Sequence, residues 1–134
     1  MRLDYFILAD AAEASQGGKI SMLGASFTRI KPPALPFVLP RVAVVIRLLI
    51  DGPDDLDQAH EVVLLWATPD SQLDPVSIQT FKASSQPKES DEEPAVVLLA
   101  EMPLFIQHRG AHRLLLYLDE ELLGERPVIV DDPG

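Results

Sequence analysis

The chain has 134 residues, with 21 Asp and Glu against 11 Lys and Arg (formal charge −10), 12 prolines, no cysteine and no asparagine. That length suits one domain, residues 1–134, able to bury a core without covalent staples, and the missing Cys and Asn exclude disulfides, thiolate nucleophiles, cysteine-ligated zinc or iron–sulfur sites and N-glycosylation. The acidity argues against nucleic acid and anionic lipid as partners, because both require Lys and Arg to neutralise phosphate.

The first apolar run, Tyr5-Phe6-Ile7-Leu8-Ala9, is bracketed by Asp4 and Asp10. It is too short for the roughly 7–15 apolar residues of a signal peptide. The runs Val42 to Ile46 and Leu48 to Ile50 are interrupted by Arg47, far below the roughly 20 residues of a membrane helix. The expectation is a cytoplasmic protein that does not enter a membrane.

Taken in chain order, the apolar runs are short, rich in Val, Ile, Leu and aromatics, and separated by Gly, Pro and Asp clusters, which is the pattern of strands. A first strand is predicted from about Leu3 to Ala9. The stretch Ala9 to Ser15 holds good helix formers but is long enough only for a turn or two. Gln16-Gly17-Gly18-Lys19 reads as a turn, and a second strand is predicted at Ile20 to Phe27, where Gly24 suggests a bulge or a close backbone approach. Lys31 to Pro40 carries four prolines and is predicted to be an extended connection between sheets, because proline supplies no amide donor.

Arg41 to Ile50 is apolar on both faces and is predicted to be a central strand. Asp51 to Asp55 is an acidic turn, and Glu61 to Thr68 a second two-faced strand. Val76 to Phe81 alternates more cleanly. Lys82 to Pro94 is polar and charged and reads as a mobile loop. Ala95 to Pro103, Ala111 to Leu118 and Leu122 to Val130 are three further strands; Asp119-Glu120 is a tight turn and Pro127 an edge or bulge position. The sum is an all-β fold, an antiparallel β-sandwich of about eight strands, immunoglobulin-like or similar.

Three pieces of the N-terminal half form a pattern: Tyr5-Phe6-Ile7-Leu8-Ala9-Asp10-Ala11-Ala12, then Gly18-Lys19-Ile20-Ser21-Met22-Leu23-Gly24, then the prolines leading to Pro40-Arg41-Val42-Ala43. Over residues 5 to 47 this resembles a bacterial family of small all-β proteins, a domain of unknown function. The resemblance implies a β-sandwich and a largely bacterial source, and it implies no activity.

The chemistry-bearing residues offer few constellations. Asp10, after an apolar strand, reads first as an Asx-turn or N-cap acceptor for backbone amides, and only second as a ligand or base. His60-Glu61-Val62-Val63-Leu64 begins like a zinc-protease helix, yet Leu64 stands where the second His belongs. Asp51, Asp54, Asp55, Asp57 and Glu61 are five carboxylates on one inter-strand loop, a candidate calcium site by ligand chemistry although without the helix-loop-helix spacing. His108 and His112 flank Arg109, with Arg113 following. On a strand the two His lie ~13 Å apart and do not share an ion, so the four residues read as a surface basic patch for an anion or an acidic partner.

No nucleophile elbow or phosphate-cradling glycine loop is present. No catalytic residue and no cofactor is therefore expected, and the chain is not expected to be an enzyme. Residues 1–50 carry six basic and three acidic side chains, and the rest carry five and 18. Unless the fold interleaves the two halves, that asymmetry favours head-to-tail self-association or a basic partner. The functional expectation is a non-enzymatic protein-interaction or structural module, with a small-ligand or calcium-binding domain at residues 51–61 as the alternative.

Overall fold

Side chains that alternate in polarity every second residue place one face of each strand in a core. The computed structural model describes residues 1–15, 19–84 and 94–133, which form ten strands and no α-helix. They are β1 (Arg2–Ala9), β2 (Ala11–Ala14), β3 (Ile20–Leu23), β4 (Arg29–Ile30), β5 (Phe37–Leu49), β6 (Ala59–Ala67), β7 (Leu73–Lys82), β8 (Ala95–Ile106), β9 (Gly110–Leu118) and β10 (Glu121–Val130). A three-stranded sheet has the order β1-β5-β8, a five-stranded sheet the order β4-β10-β9-β6-β7, and β2-β3 form a hairpin. Neighbours are antiparallel except the short β4, which runs parallel to β10.

The two larger sheets share one hydrophobic core. Phe6, Val44, Ile46 and Met102 come from the three-stranded sheet; Leu64, Trp66, Leu116 and Val128 come from the five-stranded one. Burying one such side chain is worth about 1.5–3 kcal/mol. Ala43 and Val45 point the other way from β5 and are buried as well. β2 packs against β5 and reaches β8, which explains why β5 is apolar on both faces.

Several sequence expectations change here. The described residues contain ten strands where about eight were expected, because β2 and β4 are too short to leave a pattern. Ala11–Ala14 is a strand and not a helical turn: pairing with β3 overrides helix propensity. The strand predicted at Ile20 to Phe27 stops at Leu23. Pro40 lies inside β5, where the register slips between Leu39 and Val42 and no ladder donor is needed. Likewise Pro103 does not end β8. The Gln79 side-chain amide donates to Leu99 C=O at 3.2 Å, so odd-numbered residues of β8 face its unpaired edge, where a missing amide costs nothing. Lys82 belongs to β7, and Ala83 is buried and bridges Leu56. Most of the polar loop predicted at about 82–94 lies outside the described residues.

Gly24 shows why the N-terminal pattern pairs an aspartate with a glycine. Asp10 N–H donates to Leu23 C=O at 2.9 Å, which brings its carboxylate over Gly24. A Cβ at Gly24 would stand 2.1 Å from Asp10 Oδ2, and φ there is +62°. Gly24→Ala is expected to destabilise the fold by more than about 1–2 kcal/mol, because the collision with Asp10 adds to the cost of a left-handed non-glycine residue. Adding Asp10→Ala should remove only the collision and leave the backbone cost. Urea denaturation of the two single variants and the double variant measures both parts.

Candidate functional site

Three places in the molecule bring chemistry-bearing side chains together: each end of the layered sheets and the outer face of the five-stranded sheet.

At one end the β5–β6 connection meets the β9–β10 turn. Leu118 to Glu121 form a two-residue hairpin in which Asp119 and Glu120 both adopt positive φ, the geometry that matches strand twist. Asp119 N–H donates to Glu61 C=O and Glu61 N–H donates to Asp119 Oδ1, both at 2.9 Å. The other carboxylate oxygen of Asp119 accepts from His60 Nδ1 at 2.7 Å. His60 Nε2 lies 2.8 Å from the Asp55 carbonyl. Both ring nitrogens therefore face acceptors, and only the imidazolium donates to both. The ring is buried and stacks on Phe81, with centroids 5.4 Å apart.

The Asp119 hydrogen bond raises the His60 pKa, with burial opposing it and the Asp55 carbonyl adding to it. Burial works against ionisation of Asp119. The hydrogen bonds from His60 and from the Glu61 amide outweigh it and hold the Asp119 carboxyl below the usual range.

The acidic loop is tied down by the same end of the molecule. Asp51 and Asp55 receive the Met1 ammonium at 3.3 and 3.0 Å, and Arg2 pairs with Asp51. Asp55 also accepts from the Asp51 amide at 2.9 Å. Of the five calcium candidates the structure thus brings Asp51 and Asp55 together, around a cation of the chain itself. Asp54, Asp57 and Glu61 are not drawn to that point. Glu61 is exposed on β6, and Asp57 takes positive φ where its amide donates to Ala83 C=O. Among the described residues no group of three or more His, Cys, Asp or Glu is placed to hold a metal ion.

At the opposite end the predicted basic patch comes apart. His112 points inward from β9, is 1% exposed, stacks on Trp66 with centroids 4.8 Å apart, and has Nδ1 3.1 Å from Gly110 C=O. It is a core residue and not part of a surface patch, because β9 places even-numbered residues inward. Burial lowers its pKa. Arg109 pairs with Asp132 at 2.8 Å, and Arg113 pairs with Glu125 at 3.0 Å. The indole Nε1 of Trp66 is buried without a partner. Pairs such as Arg29–Asp131, at 2.7 Å, join the basic first half of the chain to the acidic second half.

Two cavities open beside the N-terminal strands. One of about 540 Å³ lies between the β2–β3 hairpin and Arg41. The other, of about 320 Å³, lies where Arg126 closes β1 against β10. There Arg126 Nε donates to Phe6 C=O at 2.7 Å, and the guanidinium sits 5.7 Å from the Phe6 ring centre.

The third place is a surface that composition hid. With Val62, Leu64 and Trp66 in the core, Val63 and Leu65 must face outward. In register with Val63 stand Ile78 on β7 and Tyr117 on β9, and Leu122 on β10 pairs with Tyr117. In the next row Leu65 is flanked by Pro75 and Leu115, and Leu115 pairs with Glu125. Ile78 is 63% exposed and Leu122 49%. Between these exposed flanks Val63, Leu65 and Tyr117 are half-buried and Leu115 is buried. The signal was present in the sequence as the two-faced apolarity of Glu61 to Thr68, but the pattern alone does not say whether the second face is covered.

These features define an all-β fold of two facing sheets with loops tied at one end and a partly exposed apolar face on the wider sheet. The chain belongs to a family of unknown function, DUF6941, whose model matches residues 4–131. No curated protein matches it. Among the described residues no helix is long and apolar enough to cross a membrane.

The two histidines should leave opposite marks on stability. His60, with its pKa raised above the ordinary 6.5, contributes stability that is complete below pH 6.5 and lost as pH rises through its folded value. His112, with its pKa lowered from 6.5, contributes stability that is complete above pH 6.5 and lost as pH falls toward its folded value. Urea midpoints measured across this range should peak near neutrality. His60→Gln should flatten the alkaline limb and leave the acid limb in place. Ring resonances from heteronuclear NMR should show His60 doubly protonated at a pH where His112 is neutral.

Proposed function

We propose that this protein is a non-enzymatic protein-interaction or structural module that engages a partner through the outer face of the five-stranded sheet. The observation that carries the reading is the row Ile78, Val63, Tyr117 and Leu122, continuous across four strands, with Ile78 and Leu122 exposed and Val63 and Tyr117 half-buried between them. A contiguous exposed apolar patch bounded by polar residues marks interaction sites in soluble proteins. The loops instead spend their charges on one another: His60, Asp119, Asp55 and Met1 form one internal network.

The finer fold assignment belongs to the same reading. The order β1-β5-β8 opposite β4-β10-β9-β6-β7, with a short strand parallel to the last one, supports an immunoglobulin-like sandwich. The buried Trp66 on β6 stands where such domains keep a core tryptophan. Cytoplasmic location is part of the proposal and is supported by the short apolar runs and the absence of cysteine. The calcium alternative at residues 51–61 would require the ion to displace the Met1 ammonium from Asp51 and Asp55. A melting temperature raised by millimolar calcium and restored by EDTA would favour it.

The expected outcome for the main reading is that Ile78→Lys and Leu122→Lys abolish capture of a partner from host extract. Both changes are at exposed positions and should alter unfolding free energy by no more than about 0.5 kcal/mol. Affinity purification with wild-type and variant baits, followed by urea titration of each, checks both statements.

A further inference from the structure

Resting on the reading of that face as an interaction surface, we infer that its occupant is a second copy of this chain, in a weak, two-fold, face-to-face dimer. Charge favours this occupant first. Two copies each carrying −10 repel over most of their surface. The central rows of the outer face are the exception. Their formal charges are Arg113 and Glu125, which pair at 3.0 Å, and the rows beyond Val63 add Glu61 and Lys82, so the face is neutral overall. A partner of opposite net charge would have most of the acidic surface to choose from. A second copy has the neutral face, and in a two-fold dimer each partner presents that same patch.

Size sets the strength. Four strands about 4.8 Å apart and three rows of side chains span roughly 400 Å² in projection. A standard stable interface takes about 800 Å² from each partner. The dimer is therefore expected to be reversible and populated at high micromolar concentration and above, about 6 kcal/mol or less in association free energy at 1 M standard state. Salt gives the contact a sign. An apolar contact between like-charged molecules strengthens as ions screen the repulsion, whereas head-to-tail pairing of the basic and acidic halves weakens.

Sedimentation velocity tests this on the full chain, from about 10 µM to about 1 mM, at about 20 and about 300 mM NaCl. The expected result is a dimer fraction that rises with concentration and with salt. Ile78→Lys should raise the dissociation constant at least about tenfold, and Leu122→Lys likewise. Val97→Lys, on the edge strand of the other sheet, should leave it unchanged. Circular dichroism melts establish that each variant is folded.

A wild-type chain that stays monomeric at the highest concentration and salt overturns the inference. So does dimerisation that salt weakens, or that Val97→Lys abolishes and Ile78→Lys does not. If the chain is monomeric and Ile78→Lys still removes a captured host protein, the second copy is ruled out and the interaction reading stands with another protein as occupant. If neither association nor capture responds to Ile78→Lys, both readings fall.

Discussion

Leu64, Trp66, Leu114 and Leu116 from the wider sheet meet Phe6, Val44, Ile46 and Ala100 from the narrower one, and the rest of the molecule is arranged around that slab of buried side chains. Its burial dictates which residue of each strand points inward. Once Val62 and Leu64 are inside, Val63 and Leu65 are outside, because strand side chains alternate. The apolar outer face of the five-stranded sheet is thus the reverse of the core, built from the same strands. The sheets also differ in width, three strands against five. β2 packs against the narrower sheet, and the outer face of the wider one leaves Ile78 and Leu122 exposed at its flanks.

The loops at the β5–β6 and β9–β10 end follow a different logic. A buried imidazole between a carboxylate and a carbonyl is satisfied only when charged, and a buried charge is tolerated only when its hydrogen bonds are complete. His60, Asp119 and Asp55 meet that condition together. The same interaction ties a loop to a hairpin that is itself locked to β6 through the Glu61 and Asp119 backbone. His112 shows the contrary tendency, an imidazole stacked on Trp66 whose pKa burial lowers. Two histidines in one small core therefore hold opposite protonation preferences, set by whether an anion stands beside the ring.

Much of the architecture was legible from alternation and punctuation. The long strands and the Asp119-Glu120 turn follow from period-two patterning and turn chemistry, whereas Gly24 lies just past its strand and is approached by the Asp10 side chain rather than by backbone. Short elements were not legible: β2 has four residues of helix-favouring composition and becomes a strand only because β3 lies beside it. Prolines misled for a related reason. Pro40 and Pro103 break a strand only if their missing amide was needed, and that depends on a register slip in one case and a free edge in the other. The basic patch was misread because spacing along a strand says nothing about which parity faces inward, and at β9 that parity buries His112.

By itself the sequence determined an acidic all-β chain with no cysteine chemistry, whose loops carry most of the charge and whose central strands are apolar on both faces. These are properties of composition and local period, and they need no knowledge of partners in space. Which carboxylate would hold His60, that Asp51 and Asp55 would close on Met1, and which of two apolar faces would stay open were decided only when distant strands paired. His60 meets Asp119 59 positions away and Arg2 meets Asp51 49 positions away, and nothing in a one-dimensional pattern encodes those meetings.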